Sequence, residues 1–267
     1  MFSKVVQWRD SRSSTPRSAD IGVTVLRELL KFGRMHGRVT FNAGDGVPKL
    51  YRGSNRADIV WTGEEIDRFC WQAIQLDRPH LIDAIWLASL TGLRRADLVT
   101  VNDANVYDHA IIKKALKVSR GKRRTTTMPR IPELDALLDE LSGRQRIDGT
   151  RTLLVNSRGL PWTEGGLTGS FNAVRDAAEI VHVDEATGQQ RKKHLHDVRG
   201  TFATRLIEAG LTDREAAQIM GWSPERVSNI RQVYVDQERV VMAIGRRIAA
   251  RSSVNRAVNF HGGGEEN

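Results

Sequence analysis

A nearly uncharged run from Leu81 to Leu90 is the sequence feature that most restricts the fold. Its apolar residues cover most of the circumference of a helix, whereas a surface helix would carry a single apolar stripe. The run is therefore predicted to form a buried central helix that ends at Gly92. Arg94 follows directly, at the end of a rigid element that can hold a side chain in fixed geometry.

Further elements are predicted around this central helix. Thr62 with Glu65, and Thr212 with Glu215, have the spacing of a capping box, in which each side chain satisfies a backbone N–H group. Residues 105–129 are rich in β-branched side chains around a Ser-Arg-Gly-Lys turn, which is typical of a hairpin. We expect a mainly α fold with a small antiparallel β-sheet. The other predictions are helices at Pro132 to Leu141, Gly166 to Val181, His196 to Ala209, from Ser223, and at Gln237 to Arg251, a short strand at 152–155, and a polar loop at 184–193.

The N-terminal residues differ in pattern from the rest. Residues 1–20 are polar, residues 21–37 are predicted to form one helix with little to pack against, and residues 41–55 are rich in turn formers, as in a linker. This places a boundary near residue 57. The expected organisation is a helical remnant with its linker at 1–56, a main domain at 57–252 and a flexible tail at 253–267.

Composition narrows the class of protein. A chain of 267 residues can hold one large domain or a small domain followed by a larger one. Cys70 is the only cysteine, so no intramolecular disulfide can form, which fits a reducing cytoplasm. No apolar stretch has the length of a signal-peptide core or of a membrane span, so no membrane association is expected. The formal net charge of +9 indicates a polyanionic partner and leaves DNA, RNA and an anionic surface open.

Residues in the last third of the chain outline a phosphoryl-transfer site. His196 and Arg199 are three residues apart on one predicted helix, so both can face the same phosphate. Trp222 follows in a Met-Gly-Trp sequence, and Tyr234 stands in Val-Tyr-Val. A histidine and an arginine on one helical face, followed by a tryptophan and a lone tyrosine, are the parts of this outline.

This pattern, together with the earlier Thr-Gly-Leu-Arg block that ends at Arg94, resembles the two catalytic motifs of the tyrosine recombinase (phage integrase) family. The resemblance covers residues 57–250 and implies the α+β catalytic-domain fold of that family. It also implies an enzyme that cleaves and rejoins DNA through a 3′-phosphotyrosyl intermediate, to integrate or excise a mobile element. Because the phosphotyrosine would conserve the bond energy, no ATP, other cofactor or metal is expected.

The resemblance assigns the phosphate contacts. Arg94 and Arg199 match the two arginines that hold the scissile phosphate, because guanidinium groups are planar, charged and bidentate. Arg95 adjoins Arg94 and is its rival by sequence alone. Asp97 is expected to orient a neighbouring basic group, with a solvated helix charge as the alternative.

The resemblance also assigns the groups that handle the proton. Tyr234 matches the nucleophile, and His196 is the candidate for contacting phosphate and accepting the tyrosine proton. His194 cannot share the helical face of His196 and is the weaker candidate. Trp222 replaces the histidine of most relatives; its indole can donate a hydrogen bond or support Tyr234, but it cannot shuttle a proton. Tyr234 is about three residues farther from Trp222 than in many relatives, which predicts a longer helix.

The leaving 5′ oxygen needs a proton, which the family supplies from a lysine on the hairpin turn. Lys117 is the preferred candidate because its spacing to Gly121 resembles the form in relatives, and Lys122 is the alternative. The remaining basic residues are interpreted as DNA backbone contacts or as solvated charges: Arg95, Arg120, Arg123, Arg124 and Arg130.

Two alternatives to a recombinase stay open. Residues 212–231 have the helix, turn and helix of a non-catalytic DNA-binding regulator, and a type IB topoisomerase would share the chemistry. For a recombinase, the expected partners are double-stranded DNA, further copies in a tetramer on paired sites, and accessory DNA-bending or directionality proteins. Residues 237–251 are then the candidate segment for docking on a neighbour, or a helix folded back on its own domain. The expected location is the nucleoid of a prokaryotic cytoplasm. The resemblance implies that residues 1–56 are the remnant of a helical core-binding domain plus its linker, which predicts weak DNA affinity and poor activity for this chain alone.

Overall fold

The structure, a computed structural model, describes residues 1–51, 59–119, 122–184, 187–235, 240–247 and 249, without the side chains of 117–119, 122–124, 233 and 234. The chain divides into two compact units, Met1–Asn55 and Arg56–Asn267. The expected tail at 253–267 lies outside the described residues. The kinship of the first unit to a core-binding domain stays a prediction.

The first unit contains two helices, α1 (Phe2–Asp10) and α2 (Pro16–Met35). The sequence prediction missed α1 and began α2 five residues late. Proline fits the first turn of α2, where a missing N–H group is harmless. Val5 of α1 and Val23 of α2 form a small buried cluster. Contrary to expectation, α2 therefore has a partner.

Residues 41–51 differ from the expected linker because they fold back onto α2. Ala43 and Val47 join the buried cluster. The Nε of Arg27 donates to the carbonyl of Gly44 at 3.0 Å. The carboxylate of Asp20 accepts from the backbone N–H of Leu50 at 2.9 Å. These polar contacts, which a composition rich in turn formers does not reveal, give the segment a fixed course.

The second unit is mainly helical, as predicted. None of the described helices is both long and apolar enough to cross a membrane. Two 3₁₀ turns lie at Asp103–Asn105 and Leu195–Asp197, and residues 240–247 are helical. The helices and strands are α3 (Gly63–Gln75), α4 (His80–Thr91), α5 (Arg95–Leu98), β1 (Ala110–Ser119), β2 (Lys122–Pro129), α6 (Pro132–Ser142), α7 (Glu164–Ala177), β3 (Val181–Val183), β4 (Gln190–Lys192), α8 (Val198–Glu208), α9 (Asp213–Met220) and α10 (Pro224–Tyr234).

The β-structure of the described residues consists of two antiparallel pairs. Strands β1 and β2 form the predicted hairpin, with an irregular register between Lys114 and Val118. Strands β3 and β4 form a second pair, where the sequence predicted the end of a helix and a polar loop. Helix α7 ends earlier than predicted because Glu179 takes a left-handed φ of +52° and turns the chain. The strand predicted at 152–155 contributes only isolated bridges.

Two hydrophobic cores meet near the end of α4. The first surrounds α4, which is buried along most of its length as predicted, and the second joins α8, α9 and α10. Gly92 ends α4 with a φ of +57°. A side chain there would collide with the ring of Phe202 and lie 3.1 Å from the sulfur of Met220. Glycine thus allows α4 to approach the second core closely, directly before Arg94.

The segment that precedes α3, residues 59–61, lies on α8. The N–H of Trp61 donates to Oγ1 of Thr201 at 2.7 Å, and that hydroxyl donates to the carbonyl of Trp61 at 3.1 Å. Nζ of Lys193 donates to the carbonyl of Val60 at 2.7 Å and to Glu65 at 2.6 Å. The start of α8 is therefore fastened to residues more than a hundred positions earlier.

Candidate active site

Arg94 is the residue before α5, held between the end of α4 and that short helix. Its Nη1 lies 3.9 Å from Oδ2 of Asp97, which is buried. The other carboxylate oxygen of Asp97 accepts the backbone N–H of Leu116 at 3.0 Å. One carboxylate thus contacts both the arginine and strand β1.

Arg199 lies in the first turn of α8 and is 2% exposed. Its Nη2 donates to the carbonyl of Met220 at 3.2 Å. Burial, followed by the nearby guanidinium groups of Arg94 and Arg226, lowers the pKa of Arg199 to about 9. The group remains a cation at neutral pH, in a place that disfavours its charge.

His196 lies on the 3₁₀ turn before α8, so the prediction that it belongs to the same α-helix as Arg199 is wrong. The reason is Asp197, whose Oδ2 accepts the backbone N–H of His194 at 2.7 Å and tightens the turn. His194 is exposed, with its Nδ1 3.3 Å from Nη1 of Arg175.

The imidazole of His196 is reached by solvent but closely surrounded. Desolvation, and next the charge of Arg199, lower its pKa to about 4; Arg226 and Arg94 act in the same direction, and Asp197 opposes them. The ring is therefore neutral at neutral pH and able to accept a proton.

Trp222 stands between two arginines. Gly221 ends α9 in a left-handed conformation, and Trp222 lies in the turn before α10. Cζ of Arg199 is 5.3 Å from the centroid of the indole ring, and Cζ of Arg226 is 4.0 Å from it. Both distances allow cation–π attraction.

Arg226 is the residue that sequence reasoning missed. It belongs to neither motif and lies in the first turn of α10, four positions after Trp222, which stands in the turn before that helix. The sequence carried no signal for this contact, because the spacing rule for neighbours on one helix does not extend across a turn. Desolvation and the charge of Arg94 lower its pKa.

Tyr234 is the last residue of α10, and its side chain lies outside the described part of the structure. The helix is 11 residues long, which accommodates the wide spacing to Trp222. It is held on α9 by Arg231, whose Nε contacts Asp213 at 2.7 Å and whose Nη2 donates to the carbonyl of Leu211 at 2.9 Å.

The remaining predicted site residues are not brought into this cluster by described contacts. Arg95 turns to α7, with its Nη2 3.0 Å from Glu164, and Arg130 contacts Asp135 at 2.6 Å. Their contacts with DNA stay predictions. Arg120 and the side chains of Lys117, Lys122, Arg123 and Arg124 lie outside the described residues.

The cluster is strongly positive. Its described charged members are Arg94, Arg199, Arg226 and the single carboxylate of Asp97. Such a surplus suits a phosphate group whose negative charge grows during reaction. Among the described residues, no group of three His, Cys, Asp or Glu side chains lies together to hold a metal ion.

Residues 64–239 match the family described as "Phage integrase family". The tyrosine recombinase XerD of Chlorobaculum tepidum is 26% identical over 216 residues, which are 75% of this chain and 65% of that protein. The chain thus spans slightly less than two thirds of this relative.

Solved structures show the same fold. A lambda integrase dimer bound to a COC′ core site aligns with a TM-score of 0.70 and 20% identity, over 87% of this chain and 65% of that one. Lambda integrase in a tetramer bound to a Holliday junction gives 0.68 and 19%, over 84% and 64%. The Tn1549 transposon integrase with circular intermediate DNA gives 0.64 and 18%, over 88% and 81%. The fold class predicted from the sequence is confirmed.

Proposed function

We propose, because this chain belongs to the phage integrase family, that it is a site-specific tyrosine recombinase that cleaves and rejoins DNA strands. The observation that carries the proposal is the meeting of Arg94 and Arg199. Arg94 precedes α5 and Arg199 lies in the first turn of α8, yet the charge of Arg94 lowers the pKa of Arg199, and both charges lower the pKa of His196.

The two arginines supply the largest catalytic effect. In-line attack on a phosphodiester concentrates negative charge on the non-bridging oxygens. Each guanidinium can donate two hydrogen bonds to them, from a site that is already desolvated and needs little reorganisation. Their mutual repulsion in the free protein disappears when the anion binds, so binding energy and catalysis come from the same charges.

Tyr234 is the proposed nucleophile. Its phenol oxygen forms a bond to phosphorus while the bond to the 5′ oxygen breaks, leaving a 3′-phosphotyrosyl linkage and a free 5′ hydroxyl. A phenol has a pKa near 10, so His196 in its neutral form would take the tyrosine proton. Lys117, or alternatively Lys122, would give a proton to the leaving 5′ oxygen. Attack by the 5′ hydroxyl of a partner strand reverses these transfers and needs no ATP.

Double-stranded DNA is the proposed partner, with the net charge of +9 assisting the encounter. The lambda integrase tetramer on a Holliday junction supports assembly of further copies on paired sites. The transposon integrase supports a role in moving a mobile element. Accessory DNA-bending or directionality proteins are proposed as additional partners. A DNA partner also supports action in the nucleoid of a prokaryotic cytoplasm.

A binding-only regulator is the less favoured alternative. Helices α9 and α10, with the tight turn at Gly221, do have the form of a helix-turn-helix. A regulator would, however, have no use for Arg94 beside the start of α8. A type IB topoisomerase would use the same residues and is separated by experiment.

The test is capture of the covalent intermediate. The protein is incubated with nicked suicide DNA built from the flanks of its own gene, and the products are separated on a denaturing gel. We expect a protein–DNA adduct with the wild type, none with Tyr234→Phe, and an unchanged amount with Tyr107→Phe, which alters an exposed tyrosine elsewhere.

Two results would contradict the proposal. Binding to DNA without any adduct would favour the regulator. Relaxation of a supercoiled plasmid that lacks those flanks would favour the topoisomerase.

A further inference from the structure

Arg226 is a charged residue with no counter-ion in the described structure. Its guanidinium lies 4.0 Å above the ring of Trp222. Among the residues that the structure describes, it has neither an ion pair nor a side-chain hydrogen bond. The residue is exposed, so a ligand can reach it. An arginine that is stacked but not hydrogen-bonded keeps its N–H groups available for an anion.

The position of Arg226 connects it to the two arginines of the motif. Arg199 and Arg226 both contact the ring of Trp222. Arg94, Arg199 and Arg226 together lower the pKa of His196, so all three charges act at one place. Stacking on the rigid indole fixes the guanidinium of Arg226, which would otherwise have several rotamers.

The net positive charge of this cluster exceeds the single negative charge of a phosphodiester in its ground state. With His196 neutral, the three guanidinium groups and the carboxylate of Asp97 leave two positive charges in excess. A phosphodiester carries one negative charge, and a second develops as the phenol oxygen adds to phosphorus. A third arginine therefore matches the transition state better than the ground state, which is the condition for catalysis.

We propose that Arg226 is a third arginine of the phosphate site, contacts a non-bridging oxygen of the scissile phosphate, and stabilises the charge that develops there. The inference rests on the proposed function and deepens it. It also gives Trp222 a second task, because an indole supports a stacked guanidinium more strongly than a histidine ring would.

The kinetic test uses single-turnover cleavage of the suicide DNA by Arg226→Gln. The control is Arg205→Gln, which removes another arginine that lies near a tryptophan, 5.9 Å from Trp86, outside the site. We expect cleavage by Arg226→Gln to fall on the order of 10²-fold, as for loss of one oxyanion donor. Arg205→Gln should stay within about threefold of the wild type, because it touches no reacting group.

A neutral substrate tests the charge directly. The scissile phosphate is replaced by a methylphosphonate, which lacks one negative charge. We expect the deficit of Arg226→Gln to shrink to below about tenfold on this substrate, because less charge remains to be stabilised. The proposal would be overturned if Arg226→Gln cleaved the phosphodiester at the wild-type rate, or if its rate fell by the same factor on both substrates.

A second readout does not depend on cleavage. The imidazole of His196 is titrated by NMR, with and without inorganic phosphate, and its signal is assigned with His196→Gln. We expect Arg226→Gln, but not Arg205→Gln, to raise its pKa in the free protein, and added phosphate to raise the wild-type pKa more than that of Arg226→Gln. The inference is refuted if the pKa of His196 and its response to phosphate are the same in the wild type, Arg226→Gln and Arg205→Gln. This result does not depend on whether a DNA adduct forms, which is the separate test of the proposed function.

Discussion

Two buried arginines of the second unit, Arg175 and Arg199, have opposite surroundings. Arg175 is 3% exposed and donates to Asp176 at 2.7 Å, to the carbonyl of Lys193 at 2.7 Å and to Asn172 at 2.8 Å. Arg199 is as deeply buried, but its one described hydrogen bond runs to a backbone carbonyl, and other cations lie beside it. The first arginine is paired with its neighbours, whereas the second has few described partners, and the proposed scissile phosphate would supply the missing negative charge.

The pairing of a buried charge indicates whether that charge stabilises the fold or belongs to a binding site. A buried charge normally requires pairing, because desolvation disfavours it strongly. Where pairing is complete, as at Arg175, the charge serves the fold. Where like charges are held together by the surrounding packing, stability is given up for binding, and a site is indicated.

The largest loss of stability is expected when a buried charge that has its counter-ion loses that pair. Lys193 is 5% exposed and pairs with Glu65 at 2.6 Å. Lys193→Met should reduce the free energy of unfolding by about 3–5 kcal/mol, because a buried partner loses its counter-ion. The neighbouring Lys192→Met, which breaks an exposed pair with Asp176, should cost at most about 1 kcal/mol. Urea denaturation measures both, and equal losses would contradict the contrast.

Replacing Arg199 and Arg175 by glutamine, each in its own variant, separates effects on stability from effects on activity. Arg199→Gln should slow cleavage by about 10²–10³-fold, since one donor to the developing charge is lost. Its free energy of unfolding should hardly change, because the loss of burial contacts is offset by relief of repulsion from Arg94 and Arg226. Single-turnover cleavage and urea denaturation are measured on the same preparation.

The matched variant is Arg175→Gln. It leaves the carbonyl of Lys193 and the side chain of Asn172 without their donor, at about 1–3 kcal/mol each. Cleavage by the fraction that remains folded should be unchanged. The comparison breaks down if both variants lose stability and activity in the same proportion.

The lowered pKa of His196 makes the stability of the folded chain depend on pH. His196 has a pKa of about 4 in the folded chain, against 6.5 for an unperturbed histidine. Between these values the unfolded chain binds a proton that the folded chain does not, so stability is complete above pH 6.5 and falls as the pH approaches 4. Between pH 7 and pH 5, the wild type should lose more stability than His196→Gln. Parallel losses in thermal denaturation would show that neither burial nor the neighbouring cations lower the pKa of His196 in the folded chain.

The smallest effects are expected at the helix caps. The hydroxyls of Thr62 and Thr212 accept the backbone N–H groups of Glu65 and Glu215, both at 3.2 Å. Thr62→Ala and Thr212→Ala should each cost about 1 kcal/mol, and serine at either position should restore it. Equal losses by denaturation would indicate that the two cores unfold together; a loss for Thr62→Ala alone would indicate that the site region opens separately.

Local patterns predicted much of the fold. Helix α4, its end at Gly92 and the two capping boxes follow from apolar spacing, glycine and short-range hydrogen bonds, all of which are written in consecutive residues. The start of the first unit and the β3–β4 pair could not be predicted, because they depend on contacts such as Val5 with Val23 and on the positive φ of Glu179.

The candidate site shows the same division. Arg94 and Arg199 could be selected because a motif names them, and the charge of Arg94 is one cause of the lowered pKa of Arg199. Arg226 could not, because nothing in a list of motif positions says that α10 turns this side chain over Trp222. The placement of His196 on a 3₁₀ turn likewise depends on a hydrogen bond of Asp197.

The residues that fasten α8 have a practical consequence for anyone who shortens this protein. The family match begins at residue 64, but Trp61 is 2% exposed, its ring packs on Phe69 and Phe171, and its backbone satisfies the hydroxyl of Thr201. A fragment cut at the edge of the match would lack the residues that seat the helix of Arg199. We therefore expect a stably folded fragment of the second unit to require residues 59–61.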